Sequence, residues 1–253
     1  MTRGLWRIGG SWLTALLLVW GLANVVAQIS FDSHSFTRVV TTPVSVVDFN
    51  IHAGTLDVVA VPGSSHVVVH AVIHRGLIDT DTSFHVDGDR LVVRASCPPV
   101  LGQNCQAHYR VEVPPATRVI AHAKDRVNVT GTTSALEALA GEGSVTLTDV
   151  TGPIVVHASE GSVHATGLRS TEVQASASQG SVNLSFAIDP RRVDAHSSEG
   201  HVDVVVPHDG TAYRVEATAS EGSTHVQVPT DPGSPLRVRA HASQGSVTVR
   251  SAP

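Results

Sequence analysis

The chain has 253 residues, of which 15% are charged, and its formal net charge is −5. This length suffices for one large all-β domain or two small ones, and the acidic balance excludes the basic surface through which proteins bind nucleic acid. Abundant valine, serine and threonine, with glycine and proline at intervals, favour β-strands joined by turns.

Residues 1–30 are predicted to be a signal anchor, a single helix that holds the protein in a membrane. Arg3 and Arg7 precede an uncharged stretch, residues 8–31, that is long enough to span a bilayer. The alternative is a signal peptide cleaved between Ala27 and Gln28. Both interpretations place the rest of the chain outside the cytoplasm, either as a single-pass cell-membrane protein or as a secreted one.

Residues 31–117 are predicted to be an irregular β section. The alternating apolar residues of 47–58 around Gly54 predict a first coil of the repeating structure described below. Asp87-Gly88-Asp89 predicts a hairpin turn between strands at Ser83–Val86 and Leu91–Ala95. We expect this section to begin the repeat domain, to carry the hairpin as a decoration, and to serve as its cap.

Cys97 and Cys105 enclose a proline-containing, turn-rich segment of the same section. In an oxidising compartment, two cysteines in such a loop predict a disulfide. Their spacing matches neither a zinc ribbon nor the Cys-x-x-Cys redox motif, so we predict no metal at this pair.

Residues 118–253 contain six copies of a Ser-Glu/Gln-Gly-Ser-Val motif, preceded by a degenerate copy at Lys124–Val127 that lacks the glycine. The turn glycines of the six copies are Gly143, Gly161, Gly180, Gly200, Gly222 and Gly245. Successive copies are 18, 18, 19, 20, 22 and 23 residues apart. We expect each glycine to adopt a positive φ, which glycine does without steric cost.

Apolar residues alternate on both sides of every turn glycine. The residue seven positions before it is always aliphatic, the third before it is nearly always alanine, and the second after it is valine in all but one copy, which has Thr224. This period of two predicts two strands per repeat with one buried face. The favoured architecture is a parallel β-solenoid of 18–23-residue coils; an antiparallel meander of hairpins is the alternative.

With its repeated Ser-x-Gly-Ser-Val motifs, anchor-like N-terminus, Ala95–Pro98 segment and Tyr109–Pro114 segment, the chain resembles the bacterial DUF4097 β-strand-repeat proteins, also called adhesin-domain proteins. The resemblance covers residues 35–253. It implies a β-solenoid-like surface domain, with "adhesin" a label given by analogy, and it brings no catalytic residues.

Two polar columns are the remaining candidates for chemistry. The residues directly before the glycines are Asp125, Glu142, Glu160, Gln179, Glu199, Glu221 and Gln244, which we interpret as solvated turn residues. The residues four before the glycines include His122, His157, His196 and His241. Because these histidines recur on alternate coils, we expect neighbouring ones about 10 Å apart, too far to share one metal ion.

The sequence therefore predicts a surface protein that is not an enzyme and carries no cofactor or metal. The expected role is an adhesin-like binding or structural module, with an envelope polymer or a protein as partner and the membrane as attachment. The alternative is a carbohydrate-active β-helix enzyme, which requires a cleft with clustered acids on neighbouring coils.

Overall fold

The computed structural model describes residues 32–52, 54–75, 81–96 and 106–253. These residues form 21 strands in two sheets and no helix. Within this part of the chain, accordingly, no helix is long and apolar enough to cross a membrane. The signal anchor predicted at 1–30, and Cys97 with Cys105, lie outside the described residues.

The strands are short and follow one another along the whole described chain. They are β1 (Asp32–Val40), β2 (Val46–Ile51), β3 (Thr55–Ala60), β4 (Val67–Arg75), β5 (Asp81–Asp87), β6 (Arg90–Ser96), β7 (Gln106–Val113), β8 (Arg118–Ala123), β9 (Val127–Thr130), β10 (Leu136–Ala140), β11 (Val145–Thr148), β12 (Ile154–Ala158), β13 (Val163–Leu168), β14 (Glu172–Gln179), β15 (Val182–Phe186), β16 (Arg192–Glu199), β17 (Val202–Val206), β18 (Arg214–Glu221), β19 (Thr224–Gln227), β20 (Arg237–Gln244) and β21 (Val247–Ser251). Sheet A has the order β1-β4-β7-β3-β9-β11-β13-β15-β17-β21-β19, and sheet B has the order β18-β20-β16-β14-β12-β10-β8-β2-β6-β5.

Each regular repeat contributes one strand to sheet B and, after the turn, one strand to sheet A. Equivalent residues of neighbouring repeats pair in register and in parallel, as Val145 does with Val163 in sheet A and Ala138 with Val156 in sheet B. The all-β prediction is confirmed. Parallel pairing also rules out the hairpin meander for these repeats, because hairpin strands are antiparallel.

The core lies between the two sheets and is lined by the alternating residues that the sequence pattern indicated. In β14, for example, Val173, Ala175 and Ala177 are buried while their neighbours face outward. The coil predicted around Gly54 has the same character, with Phe49 and Leu56 fully buried. Small alanines near the turn and larger aliphatics away from it let the two sheets converge toward the turn edge.

The order of coils in space departs from their order in the sequence at the C-terminal end. The coil β20–β21 lies between β16–β17 and β18–β19, so that the last repeat is inserted beneath the one before it. We had expected coils to stack in chain order. Pro/Gly/Asp-rich loops at 207–213 and 228–236 provide the length for this exchange.

Tyr213 anchors the loop that leads to the outermost coil. Its side chain is 1% exposed, and its hydroxyl donates to Asp189 Oδ1 at 2.5 Å, while Thr211 donates to the other carboxylate oxygen at 3.0 Å. Burial, and then the hydrogen bond to Asp189, raise the pKa of Tyr213 well above its usual value. The phenol therefore stays neutral and holds the crossing segment in place.

The N-terminal end is closed by antiparallel strands. The predicted hairpin is present as β5–β6, with Gly88 at φ +60° in its turn. In sheet A, β4 pairs antiparallel with β7, and β1 pairs antiparallel with β4 at the edge. Phe36 of β1 and Phe84 of β5 meet edge to face at 5.8 Å, and the Arg38 guanidinium lies 4.8 Å above the Phe84 ring. This contact joins the edges of the two sheets and shields the core.

The C-terminal end has no such closure among the described residues. In the outermost coil the inward-facing Val215 and Ala217 are only half-buried, and Val226 is 40% exposed. Thr224 replaces the valine found at its position in the other repeats. Terminal repeats of solenoids commonly depart from the consensus in this way.

Val204 and Val226 occupy the same repeat position, four residues after the glycine, but are 0% and 40% exposed. We expect Val204→Ala to lower the free energy of unfolding by about 2 kcal/mol, because it removes buried methyl groups and leaves a cavity. Val226→Ala should cost less than about 0.5 kcal/mol. Urea unfolding of both variants provides the measurement, and equal losses would contradict the position of β18–β19 at the open end.

Candidate functional site

The outward side of β14, β16, β20 and β18 is rich in polar and charged side chains, and we call it the C-terminal face. In-register pairing aligns its side chains in rows across the four strands. In that strand order the rows are Glu172, Arg192, Arg237 and Arg214; Gln174, Asp194, Arg239 and Glu216; Ser176, His196, His241 and Thr218; and Ser178, Ser198, Ser243 and Ser220.

Arginines and carboxylates form a connected network in the first two rows. Arg239 bridges Asp194, at 3.5 Å, and Glu216, at 3.2 Å. Arg192 contacts Asp194 at 2.8 Å, and Arg237 contacts Glu216 at 2.9 Å. The hydrogen bonds from Arg239 and Arg237 hold the pKa of the Glu216 carboxyl below its usual range, and Asp194 raises the pKa of Arg192. The network thus stays ionised and orders the surface.

His196 and His241 lie side by side in the third row. Their ring centroids are 5.2 Å apart and the rings are nearly parallel, with an interplanar angle of 4°. The expectation of about 10 Å between neighbouring histidines is wrong for this pair, because the insertion of β20 beside β16 brings the two repeats together. His157 and His196 do lie on alternate strands, with Ser176 of β14 between them.

Hydroxyl groups surround the histidine pair. Thr218 Oγ1 lies 2.8 Å from His241 Nδ1, and Ser198 and Ser243 each lie 3.4 Å from the Nε2 atom of the histidine on their own strand. A cleft of ≈ 320 Å³ opens beside the rings; its lining includes Gln174, Arg192, Asp194, His196, Arg239 and His241. Fixed charges, neutral donors and acceptors therefore converge at one exposed depression.

The column directly before the turn glycines is exposed along most of its length, as predicted. Lys124 forms an exposed ion pair with Glu142 at 3.2 Å. At the C-terminal end, the exchanged coil order places Gln244 between Glu199 and Glu221, which would be neighbours if coils stacked in chain order. The two glutamates are therefore not on adjacent strands, which avoids repulsion between their charges. The residues of this column are exposed turn residues that contact solvent.

The turn glycines stack in a second column, but the conformational reason that we predicted for them is only partly right. Gly180, Gly222 and Gly245 have positive φ, at +157°, +152° and +134°. Gly143, Gly161 and Gly200 do not, so for these three the prediction is wrong.

Close contact between coils explains all six glycines. A Cβ added to Gly161, Gly180 or Gly200 would lie 2.2–2.4 Å from the carbonyl oxygen of the glycine in the preceding coil. The same contact exists at Gly143 against Asp125, at Gly245 against Gly200, and at Gly222 against Gly245. Neighbouring turns approach so closely that no side chain fits between them.

The histidine pair and the Arg239 bridge were missed by sequence reasoning, because both depend on the exchanged order of the last two coils. Two signals pointed to that exchange. The spacing between copies rises to 22 and 23 residues at the end, and the last copy but one, not the last, carries the atypical Thr224.

The chain is similar to a known protein family and to solved structures. The family model described as Toastrack DUF4097 matches residues 121–252. A structure of a proposed adhesin from Bacteroides fragilis has a TM-score of 0.52 and 14% identity, covering 87% of this chain and 97% of the other. A structure of a proposed cell adhesion protein from Clostridium sporogenes has a TM-score of 0.41 and 8% identity, covering 87% and 100%. No curated protein matches the sequence significantly.

The glycine column yields a direct test. A Cβ at position 161 would lie 2.2 Å from the Gly143 oxygen, so Gly161→Ala should lower the free energy of unfolding by about 1–3 kcal/mol. Gly233→Ala is the control, because its Cβ would meet only the Asp231 carboxylate at 3.4 Å. Thermal and urea unfolding compare the two, and an unaffected Gly161→Ala variant would contradict the close packing of the turns.

Proposed function

Because the chain belongs to the DUF4097 (Toastrack) family, whose model matches residues 121–252, we propose that it is an adhesin-like module that binds a polymer of the cell envelope through its C-terminal face. The observation that carries the proposal is the alignment of polar side chains in rows across four neighbouring strands. The B. fragilis structure of a proposed adhesin shares the fold, and that name supports the proposal by analogy alone.

The geometry of the face suits an extended ligand. Each row places one polar side chain per strand, at the strand spacing of about 4.8 Å, and the serine row repeats the same group on all four strands. A polymer that lies across the strands would therefore meet equivalent groups at each step, such as the serine row Ser178, Ser198, Ser243 and Ser220. The hydroxyls, imidazoles and ordered guanidinium groups are suited to the hydroxyl-rich surface of a polysaccharide.

A binding role is favoured over the carbohydrate-active enzyme because of the acids on the C-terminal face. Glycoside cleavage needs one protonated carboxyl group beside a second, ionised one. Here Asp194 and Glu216 both form ion pairs with Arg239, and the hydrogen bonds from Arg239 and Arg237 hold the pKa of Glu216 below its usual range. Glu216 is therefore poorly suited to donate a proton, and both carboxylates are engaged in ordering the surface.

We further propose that residues 1–30 tether the domain as a single-pass signal anchor, with the domain outside the cytoplasm. Arg3 and Arg7 before the uncharged stretch support this orientation. A disulfide between Cys97 and Cys105, formed in an oxidising compartment, belongs to the same proposal.

Polymer binding is tested by incubating the full-length protein with a polysaccharide array and with insoluble cell-wall material. We expect binding of at least one polymer, and a loss of about tenfold in affinity, equivalent to about 1.4 kcal/mol, for Arg239→Gln. This substitution removes the bridge between Asp194 and Glu216.

Arg250→Gln is the matched control, because Arg250 pairs with Asp203 at 3.0 Å on the outer face of sheet A. Equal loss in both variants, or no binding to any polymer, would contradict the assignment of the C-terminal face. Release of soluble sugars from the array would show an enzyme instead.

The tether is tested by N-terminal sequencing of the membrane and medium fractions of cells that produce the protein. An uncleaved anchor predicts membrane-bound chains that retain Arg3 and Arg7, because no peptidase removes the segment. Chains that begin at Gln28 and accumulate in the medium would show cleavage after Ala27 and overturn the anchor.

A further inference from the structure

We propose that His196 and His241 form a binding site for a divalent transition-metal ion, Zn²⁺ or Cu²⁺, with one imidazole nitrogen from each residue. The site is independent of polymer binding, since it needs only this chain and the ion. Imidazole is a preferred ligand of both metals.

The backbone places the two residues as a pair. They are register partners on β16 and β20, which are neighbouring parallel strands of a rigid sheet. Their rings stack 5.2 Å apart at an interplanar angle of 4°, so corresponding nitrogens of the two rings face the same side. Two nitrogens on one tetrahedral ion, each at about 2.1 Å, lie about 3.4 Å apart. Metal binding therefore requires both rings to rotate toward each other about their side-chain torsions, which brings the nitrogens closer.

The hydrogen bonds around the rings leave the Nε2 atoms available. His241 Nδ1 lies 2.8 Å from Thr218 Oγ1, and donation of the Nδ1 hydrogen to this hydroxyl leaves the lone pair on Nε2. The Nε2 atoms of His196 and His241 contact the hydroxyls of Ser198 and Ser243 at the long distance of 3.4 Å. An outer hydrogen bond of this kind fixes the orientation of many metal-binding histidines.

The charges beside the pair are partly balanced. Asp194 and Glu216 form ion pairs with Arg192, Arg237 and Arg239, so two carboxylates offset part of the charge of three arginines. The network therefore gives a cation no attraction, and its affinity has to come from the imidazole nitrogens.

The protein supplies only two strong ligands. Within the part of the chain that the structure describes, no group of three histidine, cysteine or acidic residues is arranged to hold a metal. Water or an external donor would complete the coordination, so the site is open and weaker than a structural zinc site.

His157 provides a matched control within the same column. Its Nδ1 lies 2.9 Å from Ser176 Oγ and its Nε2 lies 3.4 Å from Ser159 Oγ, which reproduces the surroundings of His241. The neighbouring strands carry Leu139 and Ser176 in its row, so no second imidazole is beside it. The His157→Asn variant therefore measures how much a single histidine in this row contributes to metal binding.

The test is titration of the full-length protein with ZnCl₂ and CuCl₂ by calorimetry in a non-chelating buffer at neutral pH. We expect a site that His196→Asn or His241→Asn weakens at least tenfold and that His157→Asn leaves unchanged. Thr218→Val, which keeps the side-chain shape but removes the hydroxyl, should weaken binding about tenfold.

Electron paramagnetic resonance of the Cu²⁺ complex gives an independent readout, because coupling to two imidazole nitrogens should fall to one in either single variant. Circular dichroism checks that the exposed substitutions leave the fold intact. The proposal is overturned if the wild type binds neither metal more tightly than the His196→Asn/His241→Asn double variant, or if His157→Asn causes the same loss.

Discussion

In-register hydrogen bonding between parallel coils is the constraint on which the rest of this structure depends. It holds equivalent backbones about 4.8 Å apart over the length of each strand. At the turn the chains come closer still, and a Cβ at Gly161 or Gly200 would collide with the carbonyl of the coil below. The glycine of the repeat is thus required by the neighbouring coil more than by the local turn.

The same register produces the polar rows on the outside. Because each residue lies beside its equivalents, a residue that departs from the repeat contacts the equivalent residues of the two neighbouring strands. Some of these contacts are favourable, such as Gln244 between Glu199 and Glu221, or Arg239 between Asp194 and Glu216. The histidine pair is one result of this placement, because histidine occupies the same repeat position on the neighbouring strands β16 and β20.

The inward residues, the Gly54 coil and the hairpin at Gly88 could be predicted from the sequence, because alternation and turn chemistry are local properties. The spatial order of the coils could not. Every repeat presents aliphatic residues at the same inward positions, so exchanging two coils leaves the core pattern unchanged. Only weak sequence features distinguish the last two coils, namely two longer loops and Thr224 in place of valine. The error of about 5 Å in the separation of His196 from its nearest histidine follows from that one missing fact.

Because the coil β20–β21 is inserted between two earlier coils, the order of the coils along the chain differs from their order in space. Regular neighbours pair residues such as His157 and Ser176, 19 positions apart, whereas Arg250 meets Asp203 across 47 positions. Once the preceding coils have folded, the open edge of β16–β17 is available to β18–β19 before β20–β21 docks, and the inward positions match except at Thr224. A stack in chain order is therefore the competing arrangement, and insertion of the last coil closes a longer loop, which costs more chain entropy. Loss of the C-terminal residues would remove an interior layer and reconnect its two neighbours, instead of shortening the protein at its end.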